Sequence, residues 1–255
     1  MKKLLCLLAM VCLLTPPVRA EELPPLPACQ TVEQVEALVL YPGENNEPVA
    51  AQRGMIRYMS QDSIRDPGFC PEYWYGGEPG SELDLTLEKD RANQPYTYYA
   101  RNMCTRAVYA MALSYLGIDM TPGDMSALLQ ERRIAAPYDD VTDRLPQLER
   151  VTFTYYIFQS MFEAYQSDSS YSPVYLYIRK PDGNTHALLV VARQENGRYI
   201  VVDPRYHEVD DEPVHVYTIA LGKTSMGIVN SDFAKEHTDS VVLGFYQWRL
   251  VEQPE

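Results

Sequence analysis

Cys104-Thr-Arg-Ala-Val-Tyr-Ala-Met-Ala-Leu-Ser-Tyr-Leu-Gly117 and His186-Ala-Leu-Leu-Val-Val-Ala192 are the two stretches from which the fold is read. In the first, apolar residues fall at 104, 107, 108, 111, 112, 115 and 116, the period of a helix with one buried face. Gly117 is placed to end it, because glycine takes the left-handed turn that closes a helix. Asn102 stands where an N-cap would, which sets Cys104 in the first turn. In the second stretch the interior carries no polar side chain, so the strand it predicts is covered on both faces.

Outward from these, Thr121-Pro122-Gly123-Asp124 starts a second helix, with Thr as cap, Pro at the first helical position and Asp in the first turn. It is expected to run to about Arg132. Residues 151–158 read as a strand, 159–166 as a short helix, and 174–178 as a strand ending in a turn over 181–184. The strand 186–192 turns at Glu195-Asn-Gly197 and returns over 198–203, where Pro204 stops it. Residues 214–221 and 241–250 add further strands. Helices followed by a mostly antiparallel sheet make an α+β protein. Upstream, residues 21–90 read as an irregular extension with a short helix over 31–40, and 91–255 as the main domain.

The 255 residues carry 22 Lys and Arg against 35 Asp and Glu, a formal charge of −13. With 46% hydrophobic and 22% charged residues the chain is too apolar for disorder and long enough to bury a core without disulfides or metals. Its acidity and lack of clustered Lys and Arg exclude a nucleic-acid binder and disfavour an anionic membrane surface. Met1-Lys2-Lys3, an uncharged run over 4–14, and Val18-Arg19-Ala20 read as a secretory signal peptide over residues 1–20. That run is well short of the roughly 20 residues that span a bilayer, and no later stretch suffices. Cleavage near Ala20 removes Lys2, Lys3 and Arg19, leaving 19 bases against 35 acids in an exported chain of net charge −16.

Export makes the cysteine count informative. Cys29, Cys70 and Cys104 remain, an odd number, so at least one thiol is unpaired. Cys29 and Cys70 either close a loop or stay free along with Cys104. Cys104 sits at a helix N-terminus, where backbone N–H groups and the helix dipole favour a thiolate. A nucleophilic thiol needs a base, and His186 opens a strand 82 residues downstream. The base needs an orienting acceptor, and Asp203 ends the partner strand 17 residues later. Taken singly, Cys104 extends an apolar stripe, His186 is a strand-end histidine and Asp203 starts a turn. It is the order of the three that points to chemistry.

Strand register bears on the triad. A two-residue turn at Asn196-Gly197 would put Asp203 opposite Val190, four residues or roughly 13 Å from His186. Direct opposition would need Val191 to pair with Arg198 under a wide loop over 192–197, and this is the register expected of a working triad. Both registers leave His186 and Asp203 on one face.

The stretch Asn102-Met-Cys-Thr-Arg-Ala-Val-Tyr-Ala-Met-Ala-Leu-Ser-Tyr-Leu-Gly117, with Ser172-Pro-Val-Tyr-Leu-Tyr-Ile178, Thr185-His-Ala-Leu-Leu-Val-Val191 and Tyr199-Ile-Val-Val-Asp-Pro204, resembles the bacteriocin-processing-peptidase-like group. These are papain-fold cysteine peptidases related to the leader-cleaving domains of peptide exporters. The resemblance covers about residues 94–205. It implies a papain-like fold, with the cysteine helix packed on an antiparallel sheet, and a peptide or protein substrate with no cofactor and no metal. It also implies Cys104 as nucleophile, His186 as general base and acid, and Asp203 as its orienter. Two positions depart from the pattern: Thr105 stands where the group has Gly, and Tyr98 where it has an oxyanion-holding Gln, the nearest glutamine being Gln94.

The alternative reading is a non-catalytic papain-like module that binds peptides or cell-surface material in the same cleft. An amide side chain brought beside Cys104 from residues 93–102 favours catalysis, whereas Tyr98 filling that space favours binding. His207, His215 and His237 lack partners at ligand spacing and read as structural or surface residues. Asp139-Asp140 with Asp143, and Asp210-Asp211-Glu212, read as solvated acidic loops rather than cation sites. Tyr73, Tyr75, Tyr96, Tyr98 and Tyr99 either line a peptide groove or pack the fold.

Overall fold

The computed structural model describes residues 30–43, 47–61, 103–129, 139–152, 158, 162, 168, 170–205, 207–209, 212–222, 227–232 and 234–251. The expected signal peptide, Cys29 and Cys70 with the question of their pairing, Asn102, the Gln94 and Tyr98 positions and the five upstream tyrosines lie outside them. Among the described residues the protein is mixed α and β, with an antiparallel sheet and few helices. No helix there is long and apolar enough to cross a membrane.

Strands β4 (Val174–Arg179), β5 (Thr185–Arg193), β6 (Tyr199–Val202), β9 (Val216–Leu221), β10 (Gly227–Ser231) and β11 (Ser240–Leu250) pair antiparallel in the order β10-β9-β6-β5-β4-β11. β10 also pairs with β11 through Gly227–Val241 and Ile228–Ser240, so the six strands close on themselves. β3 (Leu148–Thr152) extends β11 outside the ring, and β7 (Glu208–Val209) with β8 (Glu212–Pro213) makes a small separate hairpin. Alternation divides the strands between two cores. Leu176, Ile178, Leu188, Val190, Val201, Tyr217 and Ile219 pack inside the ring with Phe158, Phe162 and Phe245. Tyr175, Ala187, Leu189, Ile200, Val202, Val216 and Trp248 face outward onto helix α2 (Cys104–Tyr115).

Helix α2 is buried on every side, including Thr105, Arg106 and Ser114, and not on one face as its periodicity suggests. The other coat comes from upstream. Helix α1 (Val32–Glu36) opens with a reciprocal capping box between Thr31 and Gln34 and is followed by the parallel pair β1 (Val39–Leu40) and β2 (Ile56–Arg57). Val35, Val39, Ile56, Tyr58 and Met59 join the core that holds α2. The expected irregular extension thus contributes regular elements to the cysteine helix's surroundings. Arg57 binds this layer in place, its N–H donating to Ser114 Oγ at 2.9 Å and its guanidinium to the carbonyls of Val49 at 3.1 Å and Met120 at 2.7 Å.

Helix α2 begins from Met103, not Asn102, and without a capping side chain. It ends as expected at Gly117, which has φ 79°. There the Gly117 and Ile118 N–H groups bond back to Ser114 and Leu113, each at about 3 Å. Helix α3 (Pro122–Leu129) starts as read, Thr121 and Asp124 capping each other at 3.0 Å and 2.8 Å. Asp139–Arg144 forms helix α4 and Glu212 lies in β8, so neither acidic cluster is wholly loop. β3 covers Leu148–Thr152 and so begins earlier than read, Phe158 is helical, and residues 153–157 of the expected strand lie outside the described residues. β10 is an element the hydropathy pattern does not reveal.

Candidate active site

His186 shares the inward face of β5 with Leu188 and Val190, and Asp203 follows β6 with the inward parity of Val201. At this end of the ring the apolar filling gives way to polar groups. Neither register weighed above is adopted. β5 and β6 pair Arg193 with Tyr199 and Ala192 with Ile200, then slip by one at Val191 to pair Val190 with Val201 and Leu189 with Val202. Continued, this register sets Asp203 across from Leu188, diagonal to His186. A diagonal neighbour is within reach of a long side chain, so the wide loop is not required. His186 Nε2 lies 2.8 Å from Asp203 Oδ1.

Cys104 reaches the pair from outside the ring. The helix start lies against the beginning of β5, past the last β5–β6 pair at Leu189 and Val202. His186, the Ala187 backbone N–H and the Thr105 side chain all act on the Cys104 thiol, each in the sense that lowers it. Since His186 Nε2 is engaged by Asp203, Nδ1 is the nitrogen left for the thiol. All three expected residues therefore come together, in the order Cys104, His186, Asp203, and all are buried: Cys104 is 7% exposed, His186 4% and Asp203 0%.

Burial and pairing pull these groups in opposite directions. Burial, the largest influence on each, pushes the Cys104 thiol up, but the hydrogen bond and charge of His186, with the Ala187 N–H and Thr105, outweigh it and leave the thiol lowered. For His186, burial disfavours the proton, and Asp203 and Cys104 outweigh it, raising the imidazole to about 9. Burial likewise raises the Asp203 carboxyl, yet His186 and His207 hold it well below the usual carboxylate range. These directions, the thiol down, the imidazole up and the carboxyl down, are the ones that favour a thiolate–imidazolium pair beside an ionised carboxylate.

Asp203 has more partners than a strand-ending aspartate suggests. Its Oδ1 also accepts from the Arg205 N–H at 2.8 Å. Its Oδ2 accepts from Tyr217 Oη at 2.6 Å and is bonded by His207 Nε2 at 2.8 Å. Tyr217 Oη lies 3.0 Å from His237 Nδ1. The Asp203 N–H donates to the His215 carbonyl at 2.8 Å, and His215 Nδ1 lies 2.7 Å from the Tyr58 hydroxyl. The three remaining histidines surround the carboxylate or its support, so of the two expectations for them, structural or surface, the structural one describes the buried His215 and His237. His237 is fully buried, and His215 is 3% exposed. No linear spacing gives these residues away. His237 sits in the 3-10 turn Lys235–His237 between β10 and β11, and only ring closure brings it here.

His186, Asp203 and His237 each offer a ligand atom within 4.8 Å of the others, the one group among the described residues with the spacing of a metal site. The centre of that group is the Asp203 carboxylate itself, already accepting four hydrogen bonds. The arrangement holds an anion. No family model matches the chain, and no curated protein matches it.

Proposed function

We propose that the chain is an exported cysteine peptidase of the papain-like, bacteriocin-processing-peptidase-like kind, hydrolysing peptide or related amide bonds through Cys104, His186 and Asp203. The observation that carries this reading is the buried line of Cys104, His186 and Asp203, in which the imidazole is bonded to the carboxylate at 2.8 Å and acts on the thiol, with the thiol lowered and the imidazole raised. In this reading the Cys104 thiolate attacks the substrate carbonyl carbon, and the carbonyl π electrons move to oxygen. The Cys104 N–H, left without an intrahelical acceptor at the first helical position, is a donor for that oxyanion. His186 gives its proton to the leaving amine as the C–N bond breaks, forming a thioester. Water then attacks the thioester with His186 as base, releasing the acid and returning the sulfur to its ion pair. Asp203 keeps one nitrogen of the ring occupied throughout and stabilises the imidazolium.

A second reading, a non-catalytic module binding peptides in the same cleft, is favoured by one observation. Cys104 and His186 are 7% and 4% exposed, which leaves little of either open to a substrate. One experiment separates the two. The mature protein is labelled with iodoacetamide from pH 5 to 8, mapped by peptide mass, alongside His186→Ala. Selective labelling of Cys104 below pH 7 that vanishes in the variant is the expected result. Labelling that rises only near the ordinary thiol value of about 8.5 and ignores His186 would dismiss the peptidase.

A further inference from the structure

Beyond the three residues in line with the thiol, the barrel end carries a second tier whose proton positions follow from the geometry. Asp203 is ionised and can only accept, so Tyr217 O–H is the donor in the 2.6 Å bond to Oδ2. The Tyr217 oxygen then has only lone pairs left to offer, and His237 Nδ1, 3.0 Å away, must carry the proton between them. His237 is thereby the Nδ1–H tautomer, with a bare Nε2 that finds no hydrogen-bond partner among the described residues.

The His237 ring lies beside that of His186, centroids 4.9 Å apart and planes 30° from parallel. A second positive ring at that distance would oppose the imidazolium. Burial, joined by the charge of His186, pushes His237 down to about 3, which keeps it neutral and its tautomer fixed. Tyr217 in turn is held well above its ordinary value by burial and by Asp203, so it keeps the proton it donates.

We propose that Tyr217 and His237 are positioning residues, a two-member clamp that ties down Oδ2 of Asp203, leaves Oδ1 to His186 and the Arg205 N–H, and so points the other imidazole nitrogen at Cys104. This rests on the reading of His186 as the base of Cys104. His237 aims the Tyr217 hydroxyl, Tyr217 fixes the carboxylate plane, and the carboxylate fixes the imidazole. The neutral His237 ring also limits the rotation of His186 by lying nearly parallel to it. His207 reaches the same oxygen but is bound to a segment at the rim, 11% of its side chain exposed, whereas Tyr217 and His237 are wholly enclosed. The clamp therefore excludes water from the side of the carboxylate that faces the interior of the ring.

Four proteins test it: the wild type, Tyr217→Phe, His237→Leu and His237→Asn, the last keeping an N–H donor where Nδ1 stands. Two quantities are read on the folded mature chain, the rate of Cys104 labelling at pH 6 and the far-downfield proton resonance of the His186–Asp203 hydrogen bond. Tyr217→Phe and His237→Leu are expected to slow labelling about tenfold and to shift or broaden the resonance, the size of one lost hydrogen bond to a charged group. His237→Asn is expected to restore both. Labelling and resonance unchanged in His237→Leu and Tyr217→Phe would overturn the clamp, as would an Asn variant no better than Leu. If His237→Leu does not fold, the near-isosteric Tyr217→Phe decides. If the wild type shows no selective labelling, the peptidase reading falls, while the resonance still judges the clamp.

Discussion

Two buried charges stand near the two ends of helix α2, and they are managed in opposite ways. Towards the C-terminal end, Arg57 is 3% exposed and is met by the carbonyls of Val49 and Met120 and, at 2.5 Å, by Asp119, whose side chain is 56% exposed. At the N-terminal end, Asp203 is 0% exposed and is met by His186, His207, Tyr217 and one backbone N–H. Guanidinium does not lose its proton in any ordinary range, and its buried partners are carbonyls that do not titrate, so the enclosed part of the Arg57 group is a staple indifferent to pH. Against Asp203 lies His186, a ring that can take up and release a proton. Both arrangements satisfy the rule that a buried charge needs partners, yet only the second can move a proton. Burial of a charge is thus no sign of function by itself, whereas the titratability of what surrounds it is.

The largest expected effect breaks the Asp203 end alone. Asp203→Asn keeps the shape but cannot hold an imidazolium, so Cys104 labelling below pH 7 and any turnover should fall about 10³–10⁴-fold. The melting transition is the control. A labelling rate within tenfold of wild type would remove Asp203 from the proposed mechanism. Arg57→Met should do the reverse: about 3 kcal/mol of stability lost in denaturant unfolding, from the unpaired carbonyls of Val49 and Met120 and the lost ion pair with Asp119, with the pH profile of labelling unmoved. If Arg57→Met shifted that profile, the two ends of α2 would be coupled and the contrast would dissolve.

These two regions also differ in how far the sequence exposes them. Cys104, His186 and Asp203 could be picked out because each marks a boundary: a helix start, a strand start and a strand end. Their alignment could not be settled, since the slip at Val191 inserts one residue with no glycine or proline to announce it. Tyr217 alternates inward like any strand residue, and its hydroxyl has a purpose only because the ring closes around Asp203. His237 arrives from a connection between strands, one of which, β10, is too short and polar to be read as a strand at all. Similarly, Ser114 and Arg106 look like the solvent side of α2, and the layer that covers the helix comes from residues dozens of positions earlier. Local periodicity reports what a segment prefers, and long-range closure decides what it touches.

Acid should expose the titratable end next. His215 is pushed down to about 4 by burial and His237 to about 3, both from 6.5, so the folded chain refuses protons that the unfolded chain accepts. Stability should therefore fall as pH drops from about 6.5 towards 4, by at most about 1.4 kcal/mol per pH unit for each histidine. His186 works the other way: raised to about 9, its contribution is complete below 6.5 and is lost as pH climbs through 9. Melting temperatures across pH 4 to 10 check both limbs. His215→Gln should flatten the acid limb and leave the alkaline limb alone, while an unchanged acid slope would mean that His215 is not neutral in the folded protein.

The smallest expected effect concerns Thr105, the residue that stands where the resembled group has glycine. Its side chain bonds the Cys104 sulfur and is among the influences that lower the thiol, and its hydroxyl in turn lies 3.5 Å from that of Tyr175. A glycine could supply no such donor. Thr105→Val keeps the shape and removes the hydroxyl, so the thiol should rise modestly and labelling at pH 6 should slow about two- to fivefold, with Thr105→Ser restoring it. His186 and the Ala187 N–H remain in place, which is why the change stays small beside that of Asp203→Asn. Equal labelling in the valine and serine variants would reduce Thr105 to packing. A fall as large as the Asp203→Asn loss would instead mean that the thiolate depends on its own helix more than on the imidazole, and the contrast between the two ends of α2 would have to be redrawn around Thr105.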